Sequence, residues 1–340
     1  MSGPPPSQAP STVSRPHPAP GAGGAPVGRV PDFFIVGHPK SGTTALYEML
    51  RAHPQIFLPA NKEPWYFAQE LHLRPPPRPA GIAATLEQYL ATFAPAGPDQ
   101  RVGEASAMYL WSRTAAERIA AVAPGARIIA ILREPASFLR SLHLQFLETH
   151  VESEPDFRTA LALEPARREG KVPEHTYWPL ALHYSEYVRY AEQLRRYRER
   201  FGAERVLVLV YDDFRRENEA TVRGVLRFLE VDDTLPLELV EANPTVGVRS
   251  QRLHELVHAV TVGRGRLGGA LKRPILALTP RRLRRAALYT TQRKVLYGEP
   301  PPADERLMSE LRERFRGEVA AAGEYIGRDL LTLWGYDDAR

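Results

Sequence analysis

The chain has 340 residues, enough for one large α/β domain with insertions or for two smaller ones, and its 43% hydrophobic and 25% charged content is that of an ordinary globular protein. A net charge of +5 favours anionic ligands without choosing among phosphate, nucleic acid and a membrane surface. The absence of cysteine excludes disulfide frameworks, thiolate metal sites and cysteine nucleophiles, and is compatible with a reducing cytosol.

Residues 1–28 are rich in Pro, Ala, Gly and Ser and carry no apolar signal-peptide core, so they predict a disordered tail. Residues 29–340 are expected to form a single domain. No stretch approaches the roughly 18–20 continuous apolar residues that span a bilayer, so a soluble, cytoplasmic protein is expected. The Ala/Arg/Pro-rich composition is that of a GC-rich bacterial genome.

Order begins near Asp32, where Phe33-Phe34-Ile35-Val36-Gly37 is a continuous apolar run of the kind buried on both faces of a sheet. Residues 43–52 follow with Ala45, Leu46, Met49 and Leu50 at helical spacing. A short strand at 101–104 precedes a helical stretch at 114–123, and a strand at 127–132 precedes a helix at 135–148. A third long apolar run, 205–211, precedes a helix at 219–230, and 305–325 reads as an amphipathic helix. Strands alternating with helices predict a three-layer α/β fold, a mainly parallel central sheet flanked by helices. Residues 75–79 are a proline-rich loop, and 263–297 hold ten Lys or Arg with no acidic residue.

Gly37-His38-Pro39-Lys40-Ser41-Gly42-Thr43-Thr44 lies between the first strand and the first helix. Unpaired N–H groups at a helix N-terminus, aided by the helix dipole, cradle anions. Gly37 and Gly42 keep the spacing of the nucleotide-triphosphatase loop G-x-x-x-x-G-K-[ST], but Thr43 stands where the lysine belongs and the lysine is Lys40. The strand at 127–132 runs into Arg133, not into a magnesium-binding aspartate, although Asp212 after the next strand is available. Magnesium-dependent phosphoryl transfer is disfavoured, and no metal is expected.

Pro-Lys-Ser-Gly-Thr-Thr after a buried strand resembles the 5′-phosphosulfate loop of sulfotransferases that use 3′-phosphoadenosine-5′-phosphosulfate (PAPS). The resemblance implies a P-loop-containing nucleotide-hydrolase-like fold and PAPS as the donor substrate. It gives Lys40 the bridging oxygen and the transferring sulfuryl group, and Ser41, Gly42, Thr43 and Thr44 the 5′-phosphate. Arg133-Glu134-Pro135 with Ser141, at a strand's carboxyl end and on the next helix, is similar to the family's 3′-phosphate site. An arginine there faces the ligand crevice of an α/β sheet and can hold a phosphate bidentately. Arg249, in Val248-Arg249-Ser250, is a further 3′-phosphate candidate.

Transfer to an alcohol requires a group that takes the hydroxyl proton. Asn61-Lys62-Glu63-Pro64-Trp65-Tyr66-Phe67 resembles the Lys-Glu-x-x-Phe-Phe segment of heparan-sulfate-type and related bacterial sulfotransferases. That makes Glu63 the general base, with Lys62 assisting with charge at the leaving group. Trp65 and Tyr66 depart from relatives that carry a histidine and an aromatic. His38 and His53 are alternative bases, read as a loop-backbone position and a packing residue with no evident orienting partner. Gly103-Glu104-Ala105-Ser106 resembles another recurring segment, and Trp65, Tyr177 and Trp178 are candidate walls for the acceptor.

The expected function is sulfuryl transfer from PAPS to a hydroxyl of a carbohydrate, glycolipid or secondary metabolite. Rival readings are a kinase with an altered phosphate loop and a non-catalytic anion-binding protein. The basic stretch 263–300 is a lid or surface insertion, and 263–297 can alternatively be a peripheral membrane contact or a solvated face. No nucleic-acid-binding motif accompanies that charge.

Overall fold

A computed structural model describes residues 28–71, 83–173, 176, 178–240, 247–248, 297–298 and 300–337. The tail through residue 27, the proline-rich loop, Tyr177, Arg249, Ser250 and the basic stretch up to residue 296 lie outside the described residues.

Five parallel strands form the central sheet: β1 (Phe33–Gly37), β2 (Ile56–Phe57), β3 (Arg101–Ala105), β4 (Arg127–Leu132) and β5 (Val206–Val210), in the order β2-β3-β1-β4-β5. All five residues of β1 are buried, as a strand covered on both faces must be. Period-two alternation sorts the side chains into two cores. Phe34, Val36, Ile128, Ala130 and Leu132 point to one side, and Phe33, Ile35, Ile129 and Ile131 to the other. β1 and β3 approach closely at Phe33 and Gly103, where a Cβ on residue 103 would lie 2.1 Å from the Phe33 ring. Any other residue there would displace the ring or the strand.

The second core is closed by α1 (Thr43–Arg51), through Ala45, Leu46, Met49 and Leu50, and by α9 (Asn218–Phe228), through Val222, Val225 and Leu226. The first core is closed by α3 (Ala115–Val122), α4 (Pro135–Glu148), α7 (Tyr190–Phe201) and α10 (Glu305–Ile326). Short helices fill the connections: α2 (Leu86–Ala91), α5 (Phe157–Ala162), α6 (Glu164–Arg168), α8 (Tyr211–Arg216) and α11 (Leu330–Leu333). The helix expected at 219–230 is α9, and the short α8, which the sequence did not reveal, lies between it and β5. A two-residue antiparallel ladder joins β6 (Gly247–Val248) to β7 (Tyr297–Gly298). Among the described residues no helix is long and apolar enough to cross a membrane.

The strand order fixes where a ligand belongs. The chain leaves β1 toward β2 and β3 on one side and later returns to place β4 on the other. The crevice between the carboxyl ends of β1 and β4 is therefore the topological switch point of the sheet. The β1–β4 pairing skips Val36, passing from Ile35–Ile129 to Gly37–Ala130. That irregularity bends the end of β1 where the glycine-bearing loop starts.

Candidate active site

All five strands deliver residues to one cleft of about 170 Å³. Pro39, Lys40, Gly42, Thr43, Thr44 and Ala45 come from the β1 loop and α1, Lys62 and Glu63 from the chain after β2, and Ala107 from the chain after β3. Arg133 follows β4, Gln145 projects from α4, and Tyr211 follows β5. A parallel sheet places every such connection at one edge, so residues 171 positions apart in sequence (40 to 211) share a wall.

The loop holds its shape from below. The N–H of His38 donates to the Ile131 carbonyl at 2.9 Å, and Ser41 is fully buried with its N–H on the His38 carbonyl at 3.3 Å. Lys40 sits at φ 60°, in the left-handed region that non-glycine residues seldom enter. Gly42, at φ 85°, is the N-cap of α1, and no side chain caps that helix. The turn requires glycine twice over, since a Cβ there would also lie 3.0 Å from the Phe214 ring. Thr43 therefore does not cap α1, and Thr43, Thr44 and Ala45 of its first turn line the cleft at the positive end of the helix dipole. Burial lowers the pKa of Lys40, opposed by the Glu148 carboxylate and assisted by the Arg133 charge.

Lys62 and Glu63 are brought against this loop. Lys62 Nζ donates to Glu63 Oε1 at 2.7 Å, to Thr44 Oγ1 at 3.2 Å and to Thr43 Oγ1 at 3.3 Å. One ammonium thus ties the carboxylate to the start of α1. Glu63 Oε2 accepts from the Trp65 indole at 2.8 Å and from the Ala107 backbone N–H at 2.9 Å. Glu63 and Trp65 both hold left-handed backbone, at φ 64° and 48°. Such conformations cost on the order of 1–3 kcal/mol each and persist where neighbours over-determine them.

Arg133 closes the β4 side. Its guanidinium donates to the Lys40 carbonyl at 2.6 Å and to Ser141 Oγ at 3.3 Å, and lies 4.7 Å from the centre of the Tyr211 ring. Its own carbonyl accepts from the Tyr190 hydroxyl at 2.7 Å. Arg133 and the buried Ser141 on α4 are thus together, as their spacing predicts. Asp212, considered above as a magnesium ligand, accepts instead from the Trp334 indole at 2.9 Å.

Both histidines have orienting partners that the sequence did not reveal. His38 is completely buried among Phe138, Tyr187 and Tyr190, and its Nε2 pairs with Gln193 Oε1 at 2.8 Å. Gln193 uses its own amide N–H groups on the Glu186 and Tyr187 carbonyls, so its Oε1 accepts and His38 Nε2 donates. Burial depresses the imidazole to a pKa of about 4, leaving it neutral near pH 7. His53 pairs with the Asp232 carbonyl at 2.8 Å. Neither lines the cleft.

Four participants escape a reading by motif: the Ala107 N–H, the Trp65 indole donor, Gln145 and Tyr211. Gln145 stands one helical turn beyond Ser141 on the same face of α4, and Tyr211 directly follows a strand; both positions carry a signal. A backbone N–H carries none. Trp178 is buried with its ring 4.6 Å from that of Trp65.

The family model of the sulfotransferase domain matches residues 30–243. Human carbohydrate sulfotransferase 15 is 30% identical over 167 residues, covering 38% of this chain and 29% of that protein. Human heparan sulfate glucosamine 3-O-sulfotransferase 6 is 31% identical over 185 residues, covering 52% of this chain and 48% of that protein. The chain thus spans less than half the length of these relatives. A sulfotransferase from Alicyclobacillus acidocaldarius shares the fold with a TM-score of 0.62 at 24% identity, over 90% of this chain and 98% of that one.

Proposed function

The chain belongs to the sulfotransferase domain family, and from that premise we propose that it transfers a sulfuryl group from PAPS to a hydroxyl of a carbohydrate-type acceptor. The observation that carries the reading is Lys62, whose single ammonium joins Glu63 to both threonines at the start of α1. A proton acceptor and an anion cradle thereby share one cleft with Lys40 and Arg133.

In the proposed reaction the 5′-phosphosulfate lies on the N-terminus of α1, held by Gly42, Thr43 and Thr44 above the buried Ser41. Arg133 and Ser141 take the 3′-phosphate, with Arg249 as a further contact. The acceptor oxygen attacks sulfur in line with the bond to the 5′-phosphate. The new O–S bond forms as the bridging S–O bond breaks, and its electron pair leaves on adenosine 3′,5′-bisphosphate (PAP). Glu63 takes the acceptor proton, a step that contributes roughly 10²–10⁴-fold. Lys40, assisted by Lys62, stabilises the charge that grows on the leaving oxygen. The donor is already activated, so the reading invokes no metal.

Calorimetric titration with PAP, with ADP–magnesium as control, tests the reading. Metal-independent binding that requires the 3′-phosphate is expected, followed by transfer of labelled sulfate from PAPS to desulfated heparin or chondroitin. Preference for ADP–magnesium overturns it.

A further inference from the structure

Close to the Glu63 segment, in β3, Glu104 is completely buried. Its Oε2 accepts from the Tyr89 hydroxyl at 2.8 Å and from the Tyr109 hydroxyl at 3.0 Å. A buried carboxyl is costly unless it is hydrogen-bonded; the two phenols supply that bonding to one oxygen, and the carboxyl in turn fixes where both phenols stand.

What they hold is the segment that carries Glu63. Tyr109 passes the contact on: its oxygen accepts the Phe67 N–H at 3.2 Å while its hydroxyl donates to Glu104. Tyr89 carries the second contact, for the Tyr66 ring stacks on it at 4.6 Å and 13°. Two further links come from the last residue of β3 and the residue after it. The Glu63 N–H donates to the Ala105 carbonyl at 2.9 Å, and the Trp65 N–H to Ser106 Oγ at 3.2 Å. Residues 63–67 are thus pinned at these four points and by the Ala107 N–H on Glu63 Oε2, and two of the pins run through Glu104. The left-handed backbone at Glu63 and Trp65 would relax if those pins were lost.

We infer that Glu104 is a positioning residue: through Tyr89 and Tyr109 it locks residues 63–67 in the turn that presents the Glu63 carboxylate to the cleft. This rests on the reading of Glu63 as the base, and no reacting atom touches Glu104.

The test compares Glu104→Ala, Glu104→Gln and Glu63→Gln in the full chain. Turnover is read as labelled sulfate released from labelled PAPS to water (PAPS and water giving PAP, sulfate and two protons), beside PAP affinity by calorimetry and hydrogen exchange of the peptide containing 63–67. For Glu104→Ala, turnover should fall about tenfold or more, with PAP affinity within about twofold of the parent and faster exchange confined to 63–67. Glu104→Gln keeps an acceptor oxygen for both phenols and should restore turnover and slow exchange. Should Glu104→Ala fail to fold, Tyr109→Phe deletes only the bridging hydroxyl and should shift exchange and turnover in the same direction. Parent-like turnover and exchange, or a loss of PAP affinity as large as the loss of turnover, overturns the inference. If Glu63→Gln is impaired while Glu104→Ala is not, the inference alone fails. If Glu63→Gln is fully active, the reading of the base fails, and exchange at 63–67 still decides what Glu104 holds.

Discussion

The two oxygens of Glu63 are not equivalent. Oε2 takes two N–H donors, Trp65 and Ala107, while Oε1 faces Lys62. Replacement by glutamine introduces an NH₂ that cannot satisfy donors on both sides and removes the basic oxygen. Glu63→Gln is expected to leave PAP affinity near the parent value and to lower turnover by about 10²-fold or more; parallel titration and turnover assays check this, and equal losses would sink the assignment. Trp65 is a neutral donor: its indole gives one hydrogen bond without ever carrying charge. Trp65→Phe should therefore lower turnover roughly tenfold, as a lost positioning contact does, while the pH–rate profile keeps its shape. A change of shape would mean that the indole does more than orient. Lys40, Lys62, Glu63, Arg133 and Ser141 were legible because each sits in a short contiguous pattern next to a strand or helix end. Ala107 was not, because its contribution is a backbone group that any residue would supply.

At the level of elements, legibility followed burial. β1, β4 and β5 are apolar runs, while β3 mixes Val102 and Ala105 with Arg101 and Glu104; the helices after them keep a 3.6-residue stripe. β2 is two residues long, too short for any pattern. α7 buries Tyr190, Leu194, Tyr197 and Phe201 at proper helical spacing, yet three tyrosines or phenylalanines among several arginines do not read as an apolar face. The start of α4 shows how an element serves the site. Glu134 is its N-cap: Oε1 accepts from the Ala136 N–H at 3.0 Å and the Tyr336 hydroxyl at 2.7 Å, and Oε2 from the Ser137 N–H at 2.7 Å. The residue before it is Arg133, so the cap also fixes where the guanidinium emerges. Glu134→Ala should cost about 1–2 kcal/mol in urea denaturation and weaken PAP binding more than a distant mutation of equal cost. PAP affinity that tracks stability alone would separate the cap from the site.

For the molecule as a whole, the strand order was the part the sequence could not reveal, since pairing between β1 and β4 leaves no local trace in either strand. The same order buries two titrating groups of opposite sign on one side of the sheet: His38 after β1, and Glu104 in β3 among Tyr89, Tyr109, Ser106 and Tyr197, with Glu63 beyond. Burial holds His38 at about 4, below its usual 6.5, and pushes Glu104 up to about 7 from 4.5 against the hydrogen bonds of Ser106, Tyr89 and Tyr109. Between pH 4 and 6.5 the unfolded chain binds a proton at residue 38 that the folded chain refuses, so this group makes stability rise with pH. Between pH 4.5 and 7 the folded chain keeps a proton on Glu104 that the unfolded chain releases, so this group makes stability fall with rising pH. The two slopes oppose each other across the shared window, each amounting to roughly 3 kcal/mol over its full span. Glu104→Gln removes only the falling slope. Relative to the parent, the variant should therefore gain on the order of 2–3 kcal/mol between pH 4.5 and 7.5, read from urea denaturation at several pH values. A difference between the two proteins that stays constant with pH would show that Glu104 does not titrate in that range, and that its carboxyl sits in the core in a single charge state.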